Sequence, residues 1–256
     1  MCLVVFAWKI HPEYRLVLAA NRDEFHRRPA QGLHWWPDNP DILAGRDLQA
    51  GGTWLAVSKP GRFATVTNYR DRLSPRSGLR SRGEIITNFV GSKTPADTLV
   101  SSLAGDNYAG FSLLAADCDD LWYVSNRGDE PVQLMPGVYG LSNASLDTPW
   151  TKLVRTRDAL RKLIAAGEIS ETALFRIMAD RTPAQSADVE AGDLPFELAR
   201  ELTAPHIVSA EYGTRCATAL TWSIDEKISV SERRFDAAGN SSGESRFSFA
   251  ARPNIS

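Results

Sequence analysis

The spacing of apolar and polar positions divides the chain into a strand-rich first half, a helical middle and a strand-rich end. Residues 3–10 and 15–20 are β-rich apolar runs separated by His11-Pro12-Glu13, which predicts a hairpin. A long polar segment over 23–50 follows, with three prolines and the pair Trp35-Trp36, and no strand or helix is assigned to it. A second hairpin is expected from 53–57, the turn Lys59-Pro60-Gly61 and 63–67. Helical spacing covers 82–90 and 96–103, the second capped by Thr94 with Pro95 in its first position. Strands are expected at 110–116, 121–124, 132–135 and 138–141.

The clearest helix runs over 149–166, with Thr148 as N-cap, Pro149 in the first turn and Gly167 as the stop. Trp150, Leu153, Val154, Leu160 and Ile164 recur at helical spacing, with Lys152, Arg155, Arg157, Arg161 and Lys162 turned away from them. A second helix over 171–179 precedes an acidic, small-residue loop at 182–193. Strands return at 206–209, 214–223, 227–235 and 245–249. Strands, then helices, then strands is not the steady alternation of a parallel α/β protein. The order predicts an α+β fold, a four-layer αββα sandwich of two antiparallel sheets between helices. With no internal repeat, low-complexity tract or linker, residues 1–256 read as a single domain.

Composition narrows the function classes. Hydrophobic residues make up 43% and charged residues 23%, the mix of a globular protein rather than a disordered one. A net charge of −2 gives no global field towards nucleic acid, so no nucleic-acid partner is expected. No stretch reaches the length of a membrane span, and the first ten residues lack the basic leader of a signal peptide. Cys2, Cys118 and Cys216 show no metal-ligand spacing, so neither a metal nor a cofactor is expected, and a reducing compartment, the cytoplasm, suits them.

Cys2 carries the chemistry that stands out. An arbitrary cysteine at a strand head is a small buried hydrophobe. Position 2 differs, because aminopeptidases remove Met1 when residue 2 is small. Removal puts a thiol and a free α-amine on one residue, and that amine titrates low enough to take the thiol proton. No His is then required, and His11, His26, His34 and His206 show no pairing with a cysteine. Asn21-Arg22-Asp23-Glu24 follows the second strand. On its own it reads as a solvated turn, but the predicted hairpin brings it beside Cys2, where a carboxylate can hold the α-ammonium and a guanidinium can depress the thiol pKa. Gly51-Gly52-Thr53-Trp54 lacks the strand, helix and Lys of a phosphate cradle and reads as a close backbone approach. Trp35, Trp36 and Trp54 line a pocket or pack in the core. Cys118, among acids, and Cys216, inside a strand, read as non-catalytic.

The run Ala20-Asn21-Arg22-Asp23-Glu24-Phe25 resembles the signature of the NRDE family, which includes the eukaryotic transport-and-Golgi-organisation proteins. Further matching stretches are Met1-Cys2, Ala44-Gly45-Arg46-Asp47, Gly51-Gly52-Thr53-Trp54-Leu55, Thr67-Asn68-Tyr69-Arg70, Ser81-Arg82-Gly83-Glu84, Gly140-Leu141-Ser142-Asn143-Ala144, Leu146-Asp147-Thr148-Pro149-Trp150 and Tyr212-Gly213-Thr214-Arg215. The family is similar, segment by segment, to N-terminal-nucleophile hydrolases of the cysteine type that cleave penicillin V and conjugated bile acids. That resemblance implies Cys2 as nucleophile, Arg22 and Asp23 as its assistants, Asn68 and Asn143 as amides around the oxyanion, and Arg215 as a further active-site cation. Asn21, Glu24 and Trp54 are implied as substrate-binding neighbours. Arg and Asp are adjacent here but two residues apart in those hydrolases, so the roles within 21–24 stay open. The implied activity is hydrolysis of a linear, non-peptide amide or acyl bond in a small amphipathic substrate. The alternative is a binding or trafficking protein for haem or acyl lipids such as acyl-CoA on the same fold.

Overall fold

The two apolar runs at the start of the chain pair as their pattern requires. The computed structural model describes residues 2–70, 78–128, 130–189 and 194–252. Strand β1 (Cys2–Trp8) runs antiparallel to β2 (Tyr14–Phe25), with Cys2 opposite Arg22 and Trp8 opposite Leu16. Between them Lys9 N–H donates to the Arg15 carbonyl at 2.8 Å and Glu13 N–H to His11 Nδ1. β2 outruns the apolar stretch that announced it. It continues through Asn21, Arg22, Asp23 and Glu24, so these four lie inside a strand and not in a turn beyond it.

The polar segment 23–50 is not devoid of elements: it forms β3 (Ala30–Trp36) and β4 (Asn39–Asp47). Its prolines sit where strands tolerate them, with Pro29 just ahead of β3, Pro37 in the turn and Pro40 near the start of β4. β3 is a sheet edge whose register against β4 shifts twice, and the bulges break the period-two pattern that would have revealed it. β5 (Leu55–Ser58) and β6 (Arg62–Asn68) form the expected hairpin, with Gly61 at φ 78° and its N–H on the Ser58 carbonyl.

Helices α1 (Gly83–Val90) and α2 (Ala96–Ser102) come next. Pro95, not Thr94, is the N-cap of α2, and the Thr94 carbonyl instead takes the Arg62 guanidinium. Strands β7 (Phe111–Ala116), β8 (Leu121–Ser125), the two-residue β9 (Val132–Gln133) and β10 (Gly137–Leu141) precede α3 (Thr151–Ala166) and α4 (Glu171–Met178). Trp150 is the N-cap of α3, without a side-chain bond, because the Thr148 hydroxyl donates to the Ser145 carbonyl. Gly167 ends α3 in the left-handed region, as expected. Part of the predicted loop, residues 190–193, lies outside the described residues. A short helix that periodicity did not reveal, α5 (Phe196–Glu201), leads to 206–209. That stretch is not a strand: His206 N–H donates to the Asp180 carbonyl and Ile207 N–H to the Thr214 hydroxyl, so no ladder forms. The chain ends in β11 (Tyr212–Ser223), β12 (Lys227–Phe235) and β13 (Ser241–Ala250).

All of this pairing is antiparallel. One sheet has the order β10-β1-β2-β11-β12-β13 and the other β3-β4-β5-β6-β7-β8-β9. Alternate residues of each face one another across a middle layer built on Phe6, Trp8, Leu18, Phe63, Leu114, Leu220 and Trp222. The opposite face of the first sheet carries Leu3, Val5 and Ala19 against Leu153, Leu160 and Leu174 of α3 and α4. The outer face of the second packs Ala56, Ala64 and Val66 on Ile86 and Phe89 of α1. The result is the αββα sandwich that the element order predicts.

Candidate functional site

Because β2 runs on through residues 21–24, strand alternation divides the motif between two faces. Cys2 and Arg22 are directly opposed and share the middle-layer side of the sheet with Val4 and Phe6; Asn21 and Asp23 look the other way, towards the helices. On the far side of Arg22, β11 places Cys216 opposite the same residue after a bulge at 214–216. The hairpin thus brings the motif beside Cys2, and it also sets a second thiol in the same row.

The head of β1 is held on both sides of its first residue. Cys2 N–H donates to Asn143 Oδ1 at 3.1 Å, and the Ser142 hydroxyl donates to the Cys2 carbonyl at 2.7 Å. These two residues follow β10 and are themselves tied to the other sheet. Asn143 Nδ2 donates to the Asn68 carbonyl at 2.9 Å, Arg70 N–H to the Asn143 carbonyl at 2.7 Å, and the Thr67 hydroxyl to the Ser142 carbonyl at 2.5 Å. Asn143 is buried, so both halves of its amide are satisfied by main chain. Asn68 meets this cluster through its carbonyl, and the residue is exposed at the end of β6.

Arg22 is buried, with its guanidinium 4.3 Å from the centre of the Trp54 ring. Stacking on an indole supplies part of the solvation lost on burial. Its ion pairs are long, 3.8 Å to Asp47 and 4.0 Å to Glu24, because Asp47 is engaged by Arg28 at 2.7 Å. Burial alone would raise the Asp47 pKa, but Arg28 and the N–H groups of Ala50 and Gln49 outweigh it and hold the carboxylate below its usual value. Trp54 can stand over Arg22 because residue 45 is glycine: a Cβ there would lie 2.3 Å from the indole. Arg215 donates to the carbonyls of Phe25 and Arg28 at 2.9 and 3.1 Å, and burial with the nearby Arg22 charge lowers its pKa.

On the helix side Asn21 is a brace, its Nδ2 donating to the carbonyls of Met178 and Pro205 at 2.8 Å each. Asp23 is buried and accepts from the Thr214 hydroxyl at 2.7 Å. Burial raises its pKa, against the opposing pull first of the chain's amino terminus and then of Lys152, Thr214 and Arg22. Lys152 is the surprise. Placed by periodicity on the solvent side of α3, it is instead buried, with Nζ 3.3 Å from the Leu202 carbonyl. The buried stripe of α3 is Lys152, Leu153, Thr156, Leu160 and Leu163, so Lys152 shares the face that meets the sheet, and a reading that sorts residues by hydropathy places it on the wrong side.

Sequence reasoning also quoted Asp47 and Ser142 in motifs without giving either a task. The role expected of Gly52 is more specific than a pocket wall: a Cβ there would lie 2.6 Å from the Gly83 carbonyl carbon, so the Gly51-Gly52 and Arg82-Gly83 stretches dock on each other. Trp35 packs against Phe249 at 5.0 Å and Trp36 against the α1 side, while Trp54 stands over Arg22. Cys118 reaches only the Gly61 carbonyl, at 3.8 Å, and burial raises its pKa. Among the described residues no His, Cys, Asp and Glu cluster is arranged to hold a metal ion, and no helix is long and apolar enough to cross a membrane.

These features define a four-layer αββα protein whose first strand begins on a cysteine clamped by main-chain contacts and backed by a buried arginine. The family model for Transport and Golgi organisation 2 matches residues 1–237, and the chain belongs to that family. The Transport and Golgi organization protein 2 homologs of Bos taurus and Homo sapiens are each 34% identical to it, over 91% of this chain and 92% of theirs. Transport and Golgi organization protein 2 of Drosophila melanogaster is 33% identical over 35% of each chain. Among solved structures, the Caenorhabditis elegans N-acylethanolamine-hydrolyzing acid amidase ortholog superposes with a TM-score of 0.47 at 8% identity. It covers 69% of this chain and 85% of its own, a likeness too loose to carry any residue role across.

Proposed function

We propose that the protein is an N-terminal-nucleophile amidohydrolase that cleaves a linear, non-peptide amide or related acyl bond through Cys2. The observation that carries this is the double hold on Cys2, Asn143 on its nitrogen and Ser142 on its carbonyl, with Arg22 opposite. Any strand head needs partners for these two groups; here the side chains of two adjacent residues supply both. With Met1 removed, the α-amine takes the thiol proton and the thiolate attacks the substrate carbonyl. The tetrahedral intermediate collapses as the C–N bond breaks, and the ammonium returns its proton to the leaving amine. Water then attacks the thioester and releases the acid with the thiol restored. Arg22 favours the thiolate, and the Trp54 ring beside it offers an apolar wall to the acyl chain.

The oxyanion assignment needs movement. Asn143 Nδ2 is committed to the Asn68 carbonyl, so in this arrangement that amide is not available to a carbonyl over Cys2. That observation favours a second reading, a carrier of an amphipathic acid held by Arg22 and Trp54. Cys2→Ala on protein shown by mass to lack Met1 separates the two. For a hydrolase, turnover of an acyl-amide panel falls below detection while melting temperature and ligand quenching stay near wild type. Turnover that survives Cys2→Ala, or absence of turnover in the Met1-free wild type, removes the hydrolase reading.

A further inference from the structure

The two sheets end in four edge strands, β10 and β13 in the first and β3 and β9 in the second. An edge strand leaves a row of N–H and C=O groups open to pairing with another chain, and proteins blunt such edges by shortness, bulges, prolines or cover. Three of the four are blunted. β9 has two residues. β3 shifts register twice against β4 and lies between Pro29 and Pro37. β10 has five residues, and Asp147 covers its open side: Gly140 N–H donates to Asp147 Oδ1 and the Gly140 carbonyl accepts from Asp147 N–H, both at 2.8 Å.

β13 is the exception. It runs for ten residues, Ser241–Ala250, with neither proline nor lysine. One irregularity lies near its start, between the pair of Phe235 with Ser241 and the pair of Arg234 with Gly243; from Gly243 to Ala250 the register against β12 is unbroken. Among the described residues no strand lies on its outer side, and none of its outward main-chain groups finds a main-chain partner in a turn or loop.

The side chains of β13 show what fits there. Glu244 and Arg246 stand on the helix side, where Arg246 donates to Glu171 of α4 at 2.9 Å. Phe247 and Phe249, on the other face, pack against Trp35. A two-fold axis through an antiparallel strand pair sets one residue opposite its own copy. Pivoting on Glu244 or on Arg246 puts like charges face to face, which is unfavourable. Pivoting on Phe247 leaves both charges opposite neutral residues. Pivoting on Ser245 sets Glu244 opposite the partner's Arg246, and Arg246 opposite the partner's Glu244. Within one copy Arg246 also reaches Glu244, an exposed pair of little worth on its own, which this register exchanges for two pairs between copies. It also brings Gly243 opposite the partner's Phe247. The space over Gly243 holds the Arg234 guanidinium, since a Cβ there would lie 2.6 Å from Arg234 Nη2. The partner's ring therefore meets a bare backbone position with a cation over it. We propose that β13 is a self-association surface: two copies of this chain pair their β13 edges antiparallel about Ser245 and join their six-stranded sheets into one continuous sheet.

The test is the mass of the full chain in solution by sedimentation velocity at low salt, over about three decades of concentration up to roughly millimolar. One strand pair is a small interface, so wild type is expected to pass from monomer to dimer within that range. Glu244→Arg and Arg246→Glu each turn two attractive pairs into two repulsive ones and are expected to weaken the dimer about tenfold or more. Both are surface changes, and melting temperature checks that each variant folds. Glu244→Arg and Arg246→Glu together in one chain restore the pairing and are expected to return wild-type association. An equimolar mixture of the two single variants is expected to form heterodimers more tightly than either variant alone dimerises, which loss of an in-chain ion pair could not produce. A wild type that stays monomeric throughout overturns the proposal. So does a dimer indifferent to the single changes, and so does one that they weaken but that neither the double change nor the mixture restores.

Discussion

Cys2 and Cys216 flank Arg22 on neighbouring strands and face the same side of the sheet, yet they are set up for opposite behaviour. Cys216 is buried, and burial pushes its thiol well above the usual value, with Glu232 adding to the effect and Arg22 opposing it. Cys2 is half-buried, heads its strand and has its backbone tied down on both sides of the residue. The guanidinium beside Cys216 therefore does not by itself activate a thiol, because burial and the Glu232 carboxylate outweigh it; the proposed role of Cys2 depends on its access at the strand head.

The largest expected effect is the difference between these thiols. In native Met1-free protein, Cys2 should alkylate on the order of a hundredfold faster than Cys216, because Cys216 needs local opening to react. Peptide mapping after brief iodoacetamide treatment measures the ratio, and a faster Cys216 would erase the distinction. Next in size is the clamp. Asn143→Ala removes the acceptor for Cys2 and the donor for Asn68, and is expected to destabilise by about 2–3 kcal/mol. Denaturant unfolding reports the loss, which would be absent if the clamp were incidental. The smallest effect bounds the pH range of the comparison. His206 is buried against Phe235 with neither ring nitrogen hydrogen-bonded among the described residues, and burial, together with Arg181, lowers its pKa to about 4. The unfolded imidazole titrates near 6.5, so its contribution to stability is complete above that pH and is lost as pH falls towards 4. Melting temperature should decline over that interval, and His206→Phe should flatten the decline.

Much of the fold was legible because period-two runs and turn residues agree where strands are regular. The first hairpin, and with it the meeting of Arg22 and Cys2, follows from two apolar runs and Pro12. β3 and β4 escaped because bulges and edge position break the alternation, and prolines there mark turns and strand ends as often as loops. The candidate site was legible as residue types but not as roles. Only the extension of β2 past Ala20 sends Asn21 and Asp23 to the helices, and that extension depends on pairing with β11, some 190 residues away. Lys152 was illegible because a charged residue on the buried stripe of a helix reads by hydropathy as a solvent-facing one.

The hold on Cys2 also sets a clock. A peptidase that removes an initiator methionine needs the start of the chain exposed. In the folded protein Asn143 and Ser142 hold the nitrogen and carbonyl of Cys2, and they lie more than a hundred residues downstream. If the proposed Met1-free form is the active one, its maturation would precede the arrival of that segment, during synthesis, while β1 is still a free end. Chains that folded first would then keep their methionine. The fraction of active molecules would then be decided by a race at the ribosome rather than by anything done later to the finished protein.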